Sequence, residues 1–261
     1  MAMQSLLTGL NALHASSDWL DRVGENVANS NTIGYGQQQG TFQDALTMQL
    51  YGSATDPQNA RRTTPPGWRG GTGSVAVGEG PDFTNMDIRQ TGGQLDFAIQ
   101  GPGFFTVQSP QGPLYTKAGN FIWSKQANGQ FALATPSGNQ VLSSTGQPII
   151  RPANATTMQI QPNGQIVFNG SIQGPRIGIV EIGQPSSHLI AQSDNLYALA
   201  PGVQAQPATQ SSVQQGALAY SNVDMTATMT DMLQAQRMFE LNSESIQLTN
   251  QMMGIAATIK P

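Results

Sequence analysis

The chain has 261 residues, only 10% of them charged, and its 11 Lys and Arg against 15 Asp and Glu give a net charge of −4 at pH 7. The absence of Cys excludes disulfides, thiolate metal sites and a cysteine nucleophile, and two histidines are too few for a multi-histidine metal site. The low content of basic residues argues against a nucleic-acid partner, and no apolar run approaches the ~18 residues of a membrane span.

The first predicted element is a helix from Ala2 to about Asn29, a stretch without Pro. The turn-forming residues 29–34 end it. A seven-residue apolar repeat keeps one helix face directed at a partner helix, which is typical of a supercoiled seam. The repeat consists of Leu6, Leu13, Leu20 and Val27.

The middle of the chain divides into an arm and a β-rich domain. Pro and Gly are frequent and apolar residues are few up to Val75, which predicts an extended arm or hairpin over residues 31–80. From 81 to 215, short apolar runs alternate with turn signals such as Pro162-Asn-Gly164 and Asn169-Gly170. This pattern predicts an all-β domain inserted between two helices.

A second helix is predicted within residues 216–261, where there is no Pro from Asn222 to Ile259. Its apolar residues also recur every seven positions. They are Met225, Met232, Phe239, Ile246 and Met253. Two heptad-spaced helices around a β-rich middle predict an α+β fold in which segments 1–30 and 216–261 form one coiled-coil-like domain. The alternative is that each helix is an ordinary amphipathic helix on a globular core.

Residues that could carry chemistry are few. Asp82, Asp87 and Asp96 lie within fifteen residues, but acidic residues in β-turns are common. His14 and His188 have no evident partner, and residues 71–76 match a loose dinucleotide-binding pattern without the strand and helix that such a site needs. The sequence therefore predicts no catalytic, cofactor or metal site, and no enzyme.

Four segments resemble the flagellar axial proteins, the bacterial rod and hook family. The segment from Leu20 to Tyr35 is similar to the N-terminal signature of the family, and residues 215–242 are similar to its C-terminal helix. Residues 95–107 and 115–121 resemble its two best-marked β segments. The residues that carry the two terminal motifs are Asn26, Asn29, Thr32, Gly34, Tyr35, Ser221, Asn222, Val223, Gln236, Arg237 and Glu240.

The resemblance implies a structural subunit of the flagellar basal-body rod. Many copies would form a hollow helical tube that transmits torque and carries the export channel, with the helices inside and the β domain outside. The implied partners are copies of the chain, other rod proteins, the hook protein, the surrounding ring proteins and the export apparatus. The implied location is the periplasmic rod, reached without membrane insertion or a cleavable signal peptide, which the start of the sequence lacks.

The length and the Pro- and Gly-rich arm favour the distal rod type within this family. A proximal rod protein or a short hook-type protein is the nearer alternative. A secreted β-rich protein that binds or cleaves glycans is the alternative from another class, based on the β middle and its Asp-containing turns.

Overall fold

A computed structural model of the protein describes residues 2–44, 47–49, 69–71, 74–110, 112–126, 129–208 and 210–258. Much of the predicted arm, at 45–46, 50–68 and 72–73, lies outside the described residues. So does the side chain of the predicted seam residue Leu6.

Two long helices account for most of the helical content. Helix α1 is Ala2–Ala28 and helix α3 is Met225–Thr258, both close to their predicted bounds, and a short helix α2 is Pro185–His188. Hydroxyl side chains of the long helices find a hydrogen-bond partner within the helix, because they donate to the backbone carbonyl oxygen four residues earlier. Ser16, for example, donates to the Ala12 carbonyl oxygen at 2.8 Å. None of the described helices is both long and apolar enough to cross a membrane.

The strands are short, and all that the structure describes lie between the two long helices in sequence. The first eleven are β1 Gln37–Asp44, β2 Thr47–Gln49, β3 Arg69–Gly71, β4 Ser74–Asp82, β5 Asp87–Gln90, β6 Phe97–Gln100, β7 Gly103–Ser109, β8 Gly112–Thr116, β9 Ile122–Lys125, β10 Phe131–Ala134 and β11 Gln140–Val141. The remaining ten are β12 Ile150–Arg151, β13 Met158–Ile160, β14 Gln165–Phe168, β15 Ile172–Arg176, β16 Ile179–Glu181, β17 Leu189–Ala191, β18 Tyr197–Leu199, β19 Gln206–Pro207, β20 Ser212–Gln215 and β21 Ala217–Tyr220. Helix and antiparallel sheet together confirm the predicted α+β class.

The largest sheet of the described residues has ten strands, with the order β12-β10-β11-β7-β8-β18-β17 and with β9, β16 and β19 at its sides. A three-stranded sheet has the order β13-β14-β15, and β1 pairs with β4 and β2 with β3. Strand β6 pairs with β20 and β5 with β21, all antiparallel. These last two pairs place residues 87–100 beside 212–220, so the chain enters and leaves this β-rich region side by side.

The predicted hairpin turns that the structure describes have the backbone that tight turns need. Asn169 and Gly170 both have positive φ, +51° and +72°, and the N–H of Ser171 donates to the Phe168 carbonyl oxygen at 3.2 Å. Positive φ at both central residues is the requirement of a type I′ turn, which suits Asn-Gly. This turn joins β14 to β15.

Two apolar clusters form the core of the β-rich region. Phe105 belongs to the larger cluster and its neighbour Phe104 to the smaller one. Because successive residues of a strand point to opposite faces, β7 contributes to both clusters. In the smaller cluster, the ring of Phe83 meets those of Phe104 and Tyr197 edge to face, with centroids 4.9 and 5.1 Å apart.

Contacts divide the chain into two compact units. The helical unit takes its described residues from Met1–Glu25, Gly40–Glu79 and Thr226–Pro261. The β unit takes its described residues from Asn26–Gln39 and Gly80–Met225. The names helical unit and β unit are used in this sense below.

A lysine is buried in the β unit. Lys117 is 4% exposed, its Nζ donates to the Gly101 carbonyl oxygen at 2.7 Å, and the same atom lies 5.2 Å from the Phe104 ring centroid. Burial lowers the pKa of Lys117 from 10.5 to about 8. Burial also raises the pKa of Tyr197 from 10.0 to about 12, and it raises that of Tyr115.

The free energy of unfolding of the β unit is expected to rise between pH 8 and pH 10. In this window the folded chain has released the Lys117 proton and the unfolded chain still holds it, so Lys117 alone contributes an increase of about 2 kcal/mol. Above pH 10 the trend reverses, because Tyr197 ionises first in the unfolded chain. Urea denaturation at several pH values measures the effect.

The control for this prediction is the exposed Lys125 on β9. Lys117→Met removes the rise between pH 8 and 10, whereas Lys125→Met leaves it unchanged. Equal slopes for the unmodified chain and Lys117→Met would contradict the assignment.

Candidate functional site: the helix faces and the motif network

Helices α1 and α3 contact each other through small and polar residues of the helical unit. The Asn242 Nδ2 donates to the Ser16 Oγ at 2.9 Å and to the Ala12 carbonyl oxygen at 3.2 Å. A Cβ added to Gly9 would lie 3.0 Å from the Ile246 Cγ1. Since lower numbers on α1 meet higher numbers on α3, the helices are antiparallel.

Four buried positions of these helices are also spaced by seven, but three residues after the predicted seams, while Ala15 and Asn26 are buried outside this spacing. Ser16 and Val23 on α1 are buried, and so are Thr228 and Ala235 on α3. Small residues allow two helix backbones to approach closely. Ser16 and Asn242 of this contact were therefore missed in the sequence, whereas Ile246, which lies against Gly9, belongs to the predicted seam.

The residues of the predicted seams lie beside these buried positions. Phe239 is exposed, and Ile246 is half-buried and next to Gly9. The others whose side chains are described, Leu13, Leu20, Val27, Met225, Met232 and Met253, are half-buried. Their role as subunit contacts stays a prediction.

Helix α3 carries a second apolar surface, here called the outer stripe, formed by Leu241, Leu248, Met252 and Ile255. The exposed fractions of Leu241, Leu248 and Ile255, which are spaced by seven, are 65%, 54% and 60%. At 100° per residue the outer stripe lies roughly 120° around the helix from Ala235 and Asn242. Helix α3 therefore has one face of small and polar residues covered by its own chain and an apolar face that is open to solvent.

Most of the N-terminal family motif forms a hydrogen-bond network within the β unit, here called the motif network. Asn26 is 4% exposed, and its Oδ1 accepts from the Tyr35 hydroxyl at 3.0 Å and the Gln38 N–H at 2.8 Å. Its Nδ2 donates to the Gln38 carbonyl oxygen at 2.9 Å. One amide side chain thus replaces the partners that the backbone of Gln38 would find in a sheet.

The loop between Asn26 and β1 is held by backbone contacts. The Gly34 N–H donates to the Ala219 carbonyl oxygen at 2.9 Å, and Ile33 bridges Tyr220 on β21. Gly34 has φ +73°, and a Cβ there would lie 2.3 Å from the Ala118 nitrogen, so only glycine fits. The Thr32 hydroxyl donates to Asn29 Oδ1 at 3.1 Å.

The C-terminal motif joins the same network through Asn222. Its Oδ1 accepts from the Gln37 N–H at 2.9 Å, and its Nδ2 donates to the carbonyl oxygens of Asp82 at 3.1 Å and Thr84 at 2.8 Å. Ser221 is buried, and its Oγ accepts from the Val223 N–H at 3.3 Å. Residues 26–35 and 221–223 are therefore brought together although almost 190 positions separate them.

The rest of the C-terminal motif lies elsewhere. Gln236, Arg237 and Glu240 are exposed on α3, in the helical unit. Their side chains are available on the helix surface, whereas the motif network is internal to the β unit.

The candidate acidic residues have separate local contacts. Asp87 pairs with Arg89 at 2.7 Å, Asp82 accepts from the Thr84 N–H at 2.8 Å, and Asp96 accepts from the Thr91 hydroxyl. His14 is exposed, and the His188 ring contacts the Gly183 carbonyl oxygen. Among the residues that the structure describes, His, Asp and Glu form no cluster of three able to hold a metal ion.

Comparison with known proteins identifies the class. Residues 98–168 match the flagellar hook protein FlgE/F/G D1 domain, and residues 214–259 match the C-terminal domain of the flagellar basal body rod FlgEFG proteins. The chain is 30% identical to the flagellar basal-body rod protein FlgG of Bacillus subtilis over 99% of both chains. It is 30% identical to FlgG of Caulobacter vibrioides over 99% of this chain and 100% of that one, and 30% identical to Caulobacter FlgF over 90% and 89%.

These matches define the class of the protein as rod and hook components of the flagellum. The chain belongs to the flagellar basal-body rod protein family. It is a structural subunit located in the flagellar basal body and not an enzyme, so the resemblance stated from the motifs is confirmed. The alternative of a glycan-cleaving protein is wrong, because the family is structural.

Proposed function

We propose that this rod subunit is of the distal type and polymerises into a hollow helical tube that transmits torque to the hook and carries the export channel. The observation that carries the proposal is the outer stripe of α3, a heptad-spaced apolar surface that its own chain leaves open. Burying one Leu, Ile or Met side chain stabilises a contact by about 1.5–3 kcal/mol. Covering the outer stripe would therefore supply much of the free energy that stabilises an intersubunit contact.

A second copy of the chain is the occupant that suits this stripe. The face of α3 that pairs with α1 is already used within the subunit, so the stripe is left for a contact with another copy. We propose that it meets a different surface of that copy, because a contact between two different surfaces generates a helical filament when it does not close into a ring. The predicted seam residues at the edges of the helix pair, from Leu13 to Val27 and from Met232 to Met253, would contribute to the same contacts.

The proposed arrangement within the subunit follows the predicted segments. Segments 1–30 and 216–261 form the coiled-coil-like inner domain, 31–80 the arm and 81–215 the inserted outer β domain. The antiparallel contact of α1 with α3 supports the inner domain. The adjacency of residues 87–100 and 212–220 supports insertion, because an inserted domain needs its entry and exit close together.

The proposed partners are many copies of this chain, other rod proteins, the hook protein, the surrounding ring proteins and the export apparatus. Export of the chain through that apparatus would bring it to the periplasmic rod. The low content of charged residues suits close packing of many subunits, because a neutral surface can be covered by a neighbour without burying unpaired charge.

The choice of the distal type depends on the length of the chain and on its Pro- and Gly-rich arm. A proximal rod or short hook-type role is the second candidate, and the hook-type role is favoured by a matching domain that also names hook proteins. Deleting residues 52–66 is expected to change the length or straightness of the rod if the type is distal. Unchanged rods would favour the second candidate.

Assembly tests the proposal directly. Replacing Leu241 and Leu248 together by Gln is expected to abolish rod assembly and motility while the melting temperature of the monomer changes little, because both side chains are exposed in the monomer. The measurement is electron microscopy of basal bodies together with swimming and thermal melts. Normal rods containing the double variant would contradict the proposal.

The matched control is Ile190→Gln, an exposed apolar residue on β17. Its side chain is 51% exposed, close to the 54% of Leu248. We expect this variant to assemble normally, which separates loss of the outer stripe from a general effect of adding polar residues.

A further inference from the structure

A pocket of about 440 Å³ opens at one end of the larger core cluster of the β unit. Its floor is apolar and buried, and it consists of Ala155, Met158 and Phe168. Trp123 and Leu95 form apolar flanks. The polar lining residues are Gln94, Asp96, Arg151, Thr156 and Thr157.

One amide side chain holds two walls of the pocket together. The Nε2 of Gln215 donates to the Gln94 carbonyl oxygen at 2.7 Å and to the Met158 carbonyl oxygen at 2.9 Å. Its Oε1 accepts from the Ile160 N–H at 3.0 Å. The turn that carries Gln94 and the strand that carries Met158 are therefore fixed relative to each other.

A second amide side chain orders the loop that carries the two threonines. The Asn169 Oδ1 accepts from the backbone N–H groups of Thr156 and Thr157 at 2.9 and 3.0 Å. Its Nδ2 donates to the Asn154 carbonyl oxygen at 2.7 Å. The shape of the pocket is thus preformed, which reduces the entropy lost when a ligand binds.

The pocket contains two opposite charges that do not pair with each other. Within the described residues the only ion pair joins Arg89 to Asp87, so neither Arg151 nor Asp96 has a charged partner there, and the Asp96 Oδ2 accepts from the Thr91 hydroxyl. The Arg151 guanidinium lies over the rings of Phe131 and Trp123, with its Cζ 4.8 and 5.9 Å from their centroids. Ring contacts fix its plane but use none of its five N–H donors.

We propose that this pocket binds a saccharide that carries a carboxylate. A guanidinium fork binds a carboxylate through two parallel hydrogen bonds. The Asp96 carboxylate can accept hydrogen bonds from sugar hydroxyls, and so can the hydroxyls of Thr156 and Thr157, which themselves donate to Asn169 Oδ1 at 3.3 and 3.5 Å. Trp123 and the apolar floor suit the C–H face of a pyranose ring, and the volume accommodates one or two sugar rings.

The binding test uses the full chain and three probes. Methyl β-D-glucuronide supplies the carboxylate on a sugar, methyl β-D-glucoside is the neutral sugar that differs at one carbon, and acetate is the carboxylate alone. In nitrogen–proton NMR spectra, the glucuronide is expected to shift the Trp123 indole signal and the amide signals of Thr156 and Thr157. The glucoside and acetate are expected to bind at least about tenfold more weakly, because each lacks part of the hydrogen-bonding set.

The variant test compares Arg151→Gln with Arg89→Gln, which makes the same charge change at an exposed ion pair of the same unit. We expect Arg151→Gln to weaken glucuronide binding about tenfold or more and Arg89→Gln to leave it unchanged. The comparison of probes on the unmodified chain needs no variant, so misfolding of Arg151→Gln does not prevent the test. Absence of shifts with millimolar glucuronide, equal binding of the glucoside, or acetate binding as tightly as the glucuronide would each overturn the proposal.

Discussion

Replacing Gly34 by Ala is expected to destabilise the β unit by about 4 kcal/mol. The added Cβ would lie 2.3 Å from the nitrogen and 2.7 Å from the Cα of Ala118. Both are backbone atoms, which cannot move aside as the end of a flexible side chain can. The positive φ of +73° adds the conformational penalty of an L-residue in the left-handed region. Urea denaturation of the purified chain measures the loss.

Gly92 provides a matched control. Its φ is +72°, nearly that of Gly34, but a Cβ added there would have no atom of the described residues within 4 Å. Gly92→Ala therefore carries only the conformational penalty and is expected to cost about 1 kcal/mol. If the two variants were equally stable, close contact between the motif loop and Ala118 would not be the reason for glycine at position 34.

Replacing Asn26 by Ala is expected to cost about 3 kcal/mol. The substitution removes three hydrogen bonds at once and leaves the N–H and the carbonyl group of Gln38 without their side-chain partner. A buried polar group that loses its partner costs more than the bond itself contributed. Chemical denaturation measures the difference, and Tyr35→Phe, which removes one of the three bonds, is expected to cost about 1 kcal/mol.

Asn31 is the control for this substitution, because it is an exposed asparagine five residues further along the chain. Asn31→Ala is expected to change the free energy of unfolding by no more than about 0.5 kcal/mol. A loss for Asn26→Ala as small as that of the control would mean that the motif network contributes little to stability.

Much of the secondary structure could be predicted because its signals are local. The long Pro-free stretches gave the two long helices to within a few residues. The strands Met158–Ile160 and Gln165–Phe168 lie on either side of the predicted Pro162-Asn-Gly164 turn, which separates two short apolar runs. Local turn chemistry and periodicity act on neighbouring residues, so one sequence is enough to show them.

The faces of the helices could not be predicted in the same way. A heptad search selects large apolar residues, and of these Ile246 does lie against Gly9, but Ser16 and Asn242 at the same contact are small or polar and escape such a search. The distance between the helix axes decides which of the two seven-residue repeats is buried. That distance depends on the side chains of both helices at once. The outer stripe of α3 was missed for the same reason.

The motif residues illustrate a different limit. Resemblance identified Asn26, Gly34 and Asn222 as members of a family motif, but it gave no physical reason for them. The reason is long-range, because Asn222 bonds the backbone of Gln37 across 185 positions. The amide of Gln215 that shapes the pocket is long-range in the same sense, and although Asn169 stands in a predicted turn, its local sequence does not reveal that its side chain bonds the loop of Thr156.

A single introduced thiol tests the central claim, that copies of this rod subunit meet through the outer stripe of α3. The chain has no Cys, so Leu248→Cys creates a unique reactive group at a side chain that is 54% exposed. The measurement is the rate of maleimide labelling in the purified monomer, in isolated basal bodies and in the same basal bodies after denaturation. The proposal predicts rapid labelling of the monomer and of the denatured sample, and protection in intact basal bodies. Equal labelling rates in the monomer and in intact basal bodies would contradict it.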